Sequence, residues 1–280
     1  STLSTDGGEI ALQGRLDTRS EAYGIELRCD SFPLNSFLPA DSLGLLDLAL
    51  QAGGSGFDPL RAQTRGNIRL QVDRAEFRGR DFGGVKLNAN LEGGQLSGRL
   101  SDRDEALRLL LLISGTLTER KQEVRLTGNV FDFDLAELGI SPQKIGGSFA
   151  LEAGASASDA GSYTARIALD SIEVRTRHRT DRIRPTSLSL SSDTTATRAK
   201  LASGDLSLAF VSPGPVDSLV PALTRSTDIL AQQIRAQSVD MEALKPALPD
   251  FSLSVTAGRE NILNNFLKTK KVSPCRYPSG

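Results

Sequence analysis

The stretch Val85-Lys86-Leu87-Asn88-Ala89-Asn90-Leu91-Glu92-Gly93-Gly94-Gln95-Leu96-Ser97-Gly98-Arg99-Leu100-Ser101 decides the fold class. Val85, Leu87, Ala89 and Leu91 alternate with Lys86, Asn88 and Asn90. Successive side chains of a strand point to opposite faces, so this segment reads as a strand with one apolar and one wet face. Glu92-Gly93-Gly94 supplies the glycines that a tight reversal favours. Leu96, Gly98 and Leu100 then continue the apolar side between Ser97, Arg99 and Ser101. The whole reads as an antiparallel hairpin.

The same grammar extends along the chain. Val124, Leu126, Gly128 and Val130 alternate with Arg125, Thr127 and Asn129. Phe149, Leu151 and Ala153 alternate with Ala150 and Glu152, and Tyr163, Ala165, Ile167 and Leu169 with Thr164, Arg166 and Ala168. Leu206, Leu208 and Phe210 alternate with Ser207 and Ala209. One segment has helical spacing instead. Asp217 is placed to cap a helix carrying Leu219, Leu223, Leu230 and Ile234 on one face, with Pro221 in its first turn and its end near Ala236. Short helical pieces are expected at Leu34–Phe37, Leu135–Leu138, Met241–Ala247 and Asn261–Lys268. The expected architecture is mainly β. It is an elongated, curved, repetitive antiparallel sheet, β-taco or gutter-like, with an apolar inner face, a few short helices and one longer helix near 217–236.

A repeat supports this. Leu48-Ala49-Leu50-Gln51-Ala52-Gly53, Phe149-Ala150-Leu151-Glu152-Ala153-Gly154 and Leu253-Ser254-Val255-Thr256-Ala257-Gly258 share one pattern. Each follows a short apolar connector containing proline: Asn35–Pro39, Glu137–Pro142 and Ala243–Pro246. Repeats at a fixed period favour an array in which each unit leans on its neighbours. The expected organisation is therefore a repetitive region over 1–270, in units of about 100 residues with junctions near 31–42, 131–144 and 239–250. Residues 271–280 lack periodicity and read as a disordered or non-native tail.

Composition excludes several classes. Lys+Arg 33 against Asp+Glu 34 leaves a net charge of -1, without the basic excess of a nucleic-acid binder. The single histidine cannot supply a multi-histidine zinc site. The longest apolar run, Leu109–Ile113, falls far short of the roughly 20 residues of a membrane helix. The chain opens on Ser1 without a methionine or leader pattern, and is expected to be an internal fragment. Cys29 and Cys275 are either two free thiols or one long-range disulfide, so redox compartment stays open.

No catalytic constellation emerges. His178 sits within Arg175-Thr176-Arg177-His178-Arg179, a poor setting for a general base, and reads as a surface strand residue. Phe131-Asp132-Phe133-Asp134 reads as a strand end running into a connector, and Asp102-Arg103-Asp104-Glu105 as a loop, rather than as a glycosidase dyad or calcium site. Gly53–Gly56 and Gly146-Gly147 lack the lysine of a phosphate loop. We therefore expect no enzyme activity, no metal and no cofactor. Arg175, Arg177 and Arg179 would share one strand face, either as a solvated outer surface or as a contact for anionic headgroups or an acidic partner.

Three segments carry a family resemblance. Ser31-Phe32-Pro33-Leu34-Asn35-Ser36-Phe37-Leu38-Pro39 with Asp41–Leu50, then Phe82–Gly98, then Leu112-Ile113-Ser114-Gly115-Thr116-Leu117, in that order, resemble the AsmA-like superfamily. The likeness is to its TamB-type (translocation and assembly module) branch, of Bacteroidetes-like type. It extends over roughly residues 1–270. It implies an envelope protein of a Gram-negative bacterium, anchored in the inner membrane through a helix absent from this sequence and stretching through the periplasm. It also implies transfer of phospholipid toward the outer membrane, or a part in assembling outer-membrane proteins. The family supplies no catalytic motif.

Three functions are thus expected in order. The first is a conduit for phospholipid acyl chains, with Val85, Leu87, Leu91, Leu96, Leu100, Val124 and Leu126 lining its groove. The second is a scaffold that offers strand edges to outer-membrane clients, alongside an outer-membrane assembly protein as partner. The third is a solenoid-like surface or carbohydrate-binding protein. Nucleic acid is not an expected partner.

Overall fold

The computed structural model describes residues 2–5, 8–36, 43–77, 79–158, 161–235, 240, 242 and 248–261. As the alternation requires, the chain is mainly β: an antiparallel, curved sheet that stays open rather than closing into a barrel, with one long helix. It divides into two compact units, residues 1–156 with 169–182, and 157–168 with 183–280.

The first unit holds β1 (Thr2–Thr5), β2 (Gly8–Asp17), β3 (Ala22–Pro33), β4 (Leu43–Ser55), β5 (Arg65–Phe77), β6 (Arg80–Phe82), β7 (Val85–Glu92), β8 (Gln95–Arg103), β9 (Leu107–Leu117) and β10 (Lys121–Asp134). It also takes parts of β11 (Gly146–Ser158), β12 (Tyr163–Arg175) and β13 (Thr180–Ile183). From β1 to β10 the chain meanders, each strand except β6 pairing antiparallel with the one that follows it in the sheet. The short β6 flanks one end of β5, and β7 pairs with the rest. The β7–β8 reversal is the expected hairpin: Gly93 and Gly94 both take positive φ, 58° and 74°, which a two-residue turn between twisted strands requires.

Opposed residues of an antiparallel ladder share a face. Across β2, β3, β4, β5, β7, β8, β9 and β10, the row Leu12, Leu27, Leu50, Leu70, Leu87, Leu100 and Leu111 ends at Gly128. The next row is Gly14, Ile25, Ala52, Ile68, Ala89, Gly98, Ile113 and Leu126. Beyond it lie Leu16, Tyr23, Gly54, Gly66, Leu91, Leu96, Gly115 and Val124. On the other side of the leucines, Ile10, Cys29, Leu48, Val72 and Val85 make a fourth row in β2 to β7. The opposite face is polar over β2 to β8; one of its rows reads Gln13, Glu26, Gln51, Arg69, Asn88 and Arg99 before it meets the exposed Leu112 of β9.

Register shifts interrupt the ladders at one end of these strands, between Cys29 and Phe32, Asp47 and Leu48, and Val130 and Asp132. Such bulges bend a strand and increase its twist. Ser31 takes φ 46° here, and its N–H donates to the Asp47 carboxylate.

In the second unit β14 (Thr186–Ser192), β15 (Ala196–Ser203), β16 (Leu206–Pro213) and β17 (Ser252–Thr256) pair in sequence, with α1 (Val216–Arg235) between β16 and β17. Leu188, Leu201, Leu208 and Val255 form one apolar row, and Leu190, Ala199, Phe210 and Leu253 the next. The three matching hexapeptides fall in β4, β11 and at β17.

The long helix stands where its spacing placed it, with two corrections. Asp217 lies inside the first turn rather than at the cap, where its charge still complements the helix dipole. The end is anchored instead by the N–H of Val216 donating to Ser192 Oγ at 2.8 Å and by Ser218 Oγ donating to the Pro215 carbonyl at 2.7 Å. Pro221 sits a turn further in than expected and removes a donor that the Asp217 carbonyl would otherwise receive. The short helix at Leu34–Ser36 is present as a single 3-10 turn. Leu135–Leu138 is a turn: the Asp134 carboxylate accepts from Ala136 N at 2.9 Å, and Gly139, with φ 71°, turns the chain away. Of Met241–Ala247 only Glu242 is described, and of Asn261–Lys268 only Asn261; the rest, with the 271–280 tail, lies outside the described residues.

The β14–β15 turn gives a pH test. The Asp193 carboxylate accepts from Thr195 Oγ1 at 2.5 Å, Thr195 N at 2.7 Å and Ala196 N at 3.0 Å. These hydrogen bonds, Thr195 foremost, lower its pKa from 3.8 to about 2. A depressed carboxylate adds stability that is complete above its unfolded pKa and vanishes as pH falls through the folded one. Asp193→Asn should therefore flatten the acid limb of thermal unfolding between 3.8 and about 2. An unchanged limb in that variant would contradict this role for the turn.

Candidate functional site: an apolar sheet face

The seven residues expected to line a groove are brought together on one face. Leu87 and Leu100 are opposed, as are Leu91 and Leu96; Val85 precedes Leu87 by two positions, and Leu126 and Val124 stand opposite Ile113 and Gly115. All are half-buried except Val124, which is 37% exposed. Strand β7 shows the principle plainly: its apolar positions are half-buried and Lys86, Asn88, Asn90 and Glu92 are exposed.

Burial across this face is graded. At the end with the bulges, Cys29, Phe32 and Val130 are buried, as is Leu111 at the β9 end of the leucine row. Burial raises the Cys29 thiol pKa, with the Asp47 charge adding to it. Toward the other end Ile25 is 42%, Ile68 43% and Leu16 63% exposed. Leu12, at the β2 end of the leucine row, is 46% exposed. Large apolar side chains on this part of the face are therefore left in contact with water. The second unit repeats the pattern, with Leu188 at 45%, Leu253 at 56% and Val255 at 57%.

Two features shape the lining. The Tyr23 ring extends over Gly54 and Gly66: a Cβ on Gly54 would come within 2.8 Å of its phenol oxygen, and one on Gly66 within 3.2 Å. An aromatic laid over strand glycines covers backbone those glycines expose. Tyr23 also stacks on Phe57 with centroids 6.3 Å apart. At the bulged end Asp102, buried, stands opposite Leu109 on the apolar side. Its Oδ1 accepts from Asp104 N at 2.9 Å, and Asp104 in turn holds Gly83 N at 3.0 Å and Ala106 N at 2.8 Å. Burial, opposed by that hydrogen bond, pushes the Asp102 pKa up.

The arginine cluster differs from its sequence reading. Strand β12 ends at Arg175, and Thr176 to Arg179 is a turn closed by Thr176 N on the Arg179 carbonyl at 2.9 Å. Arg175, Arg177 and Arg179 therefore do not share a strand face, and His178 is an exposed turn residue rather than a strand residue. Two of the three are engaged: Arg175 pairs with Asp132, and Arg179 with Asp181 at 2.7 Å. A hollow of about 540 Å³ beside them is lined by both signs, with Glu105, Asp132, Asp134 and Glu137 facing Lys144, Arg175 and Arg177. Neighbouring carboxylates offset the pull of such a site on a lone anion.

The sequence reading missed half of the apolar face. Leu12, Leu27, Leu50 and Leu70 extend the leucine row through β2 to β5, and Ile25 and Ile68 lie beside it. The signal was the same alternation, at Ile10-Leu12-Gly14-Leu16 and Ile68-Leu70-Val72.

No family model matches this chain, no curated protein matches it, and no solved structure matches it. Among the described residues, no helix is long and apolar enough to cross a membrane.

Two substitutions probe the grading. Leu111→Ala removes a buried side chain and should cost about 2–5 kcal/mol in denaturant unfolding. Leu16→Ser, on the open side, should change stability by no more than about 0.5 kcal/mol. Equal large losses would mean a sealed core. Asp102→Asn tests the buried carboxylate. With a raised folded pKa, the stability its proton confers is lost as pH rises through that value. The amide keeps the acceptor and cannot ionise, so at neutral pH the variant should be at least as stable as the parent.

Proposed function

We propose that this chain is a non-enzymatic segment of a periplasm-spanning envelope protein that conducts phospholipid acyl chains along an apolar β face between inner and outer membrane. The observation that carries the reading is the register-matched apolar face of the first unit, whose leucine row crosses seven strands and remains partly open to water. The resemblance to the TamB-type branch of the AsmA-like superfamily supplies the setting and the cargo class.

The energetics suit that cargo. Exposing an acyl chain to water costs about 0.8 kcal/mol per methylene, or on the order of 12 kcal/mol for about 16 carbons. The leucine side chains of the row from Leu12 to Leu111 offset much of that cost at each strand they cross. Because the leucine row runs across the strands, a chain lying along it passes from Leu12 to Leu111 without meeting a polar side chain. A lining without a deep specific site leaves no position from which escape is slow. The span from β2 to β10, at about 4.8 Å per strand, is roughly 34 Å. That is ample for one extended acyl chain.

Photo-crosslinking amino acids placed at Leu87, Leu100 and Leu126 should capture phospholipid in cells, whereas probes at Lys86 and Asn88 on the opposite face should not. Leu87→Glu should abolish capture at Leu100. Equal labelling of both faces would remove the conduit reading. Delipidated protein that binds unfolded outer-membrane strands and ignores lipid would replace it with a client-scaffold role.

A further inference from the structure

We propose that the polar face of the first unit carries a separate binding site, a shallow hollow on β2 to β5 that takes an acidic oligosaccharide. The site goes beyond the lipid reading and lies on the other side of the sheet from it.

The hollow encloses about 440 Å³ and is lined by Gln13, Arg15, Glu26, Gln51, Asn67 and Arg69 around a floor at Gly24 and Gly53. Register explains the arrangement. Arg15, Gly24, Gly53 and Asn67 form one row on the polar face, and Gln13, Glu26, Gln51 and Arg69 the next. Two adjacent glycines at the centre of the first row take away the side chains that would fill it.

Those glycines have no conformational or packing reason to be there. A glycine inside a strand weakens it by roughly 0.5–1 kcal/mol, and is usually kept for a positive φ or a close approach. Neither Gly24 nor Gly53 has a positive φ. A Cβ on Gly24 would meet no atom within 4 Å, and one on Gly53 would make only ordinary contacts from 3.5 Å. What they preserve is the hollow itself.

The lining points to the ligand class. Among the described residues, the side chains of Gln13, Glu26, Gln51, Asn67 and Arg69 have no hydrogen-bond or ion-pair partner within the protein. Amide side chains both donate and accept, which suits hydroxyl groups that do the same. Arg15 and Arg69 present planar forks that match carboxylates, and against Glu26 they leave one positive charge in excess. The arginines sit on β2 and β5, three strand spacings or about 14 Å apart, a span of about three sugar rings. No aromatic ring lines the hollow, so recognition rests on hydrogen bonds and charge rather than on stacking against a neutral sugar.

Titration calorimetry of the whole chain with trigalacturonate, maltotriose and tripolyphosphate tests this. Trigalacturonate should bind, with maltotriose and tripolyphosphate weaker by about tenfold or more. Gly24→Leu fills the hollow, and Arg69→Gln removes one fork; each should weaken trigalacturonate by about tenfold or more while leaving the thermal midpoint and lipid crosslinking at Leu87 unchanged. No binding of trigalacturonate, binding indifferent to both variants, or tripolyphosphate binding as tightly would overturn the proposal. Loss of lipid capture with trigalacturonate binding intact would count against the conduit alone.

Discussion

Strand register is the constraint on which the rest of this structure depends. The side-chain period of a strand is two, so a slip of one residue between neighbours turns a whole strand's apolar set to the opposite face. Across eight successive strands the partners stay in phase, and leucine meets leucine from Leu12 to Leu111. Where the phase changes, it does so at bulges at the same end of the strands, beside Phe32, Leu46 and Val130. Those bulges leave both faces of the remaining sheet consistent.

A sheet organised this way faces a choice about its apolar side. Most antiparallel sheets bury it under helices or a second sheet. Here burial is nearly complete at Cys29, Phe32, Leu111 and Val130, and falls away to 63% exposure at Leu16. Contiguous exposed apolar surface on a protein marks a place where something else binds. The wet face is differentiated as well, since it combines committed ion pairs such as Arg65–Glu92 with uncommitted amides around Gly24 and Gly53.

The sequence made the strands legible because alternation is a local property. The β7–β8 hairpin and its diglycine turn could be read from a dozen residues. So could the helix, from Leu219 and its neighbours, although its cap could not: Ser192, which receives the Val216 N–H, lies 24 positions away. The arginine cluster failed for a related reason. Thr176 closes a turn on Arg179, and a run of alternating arginines looks the same in a strand and in a tight turn. The breadth of the apolar face was hidden because it is a product of register between strands, which alternation within one strand does not fix. The hollow at Gly24 was hidden too, since a strand glycine looks alike whether it serves a bulge, a close approach or an empty space.

Hydroxyl-radical footprinting, read residue by residue with and without phospholipid, tests the central claim most directly. An open apolar face that receives acyl chains predicts oxidation of Leu12, Leu16, Ile25 and Ile68 in lipid-free protein and their protection once lipid is added, with Gln51 and Asn88 unaffected. Apolar positions that resist oxidation without lipid, or that oxidise equally with it, would contradict the account.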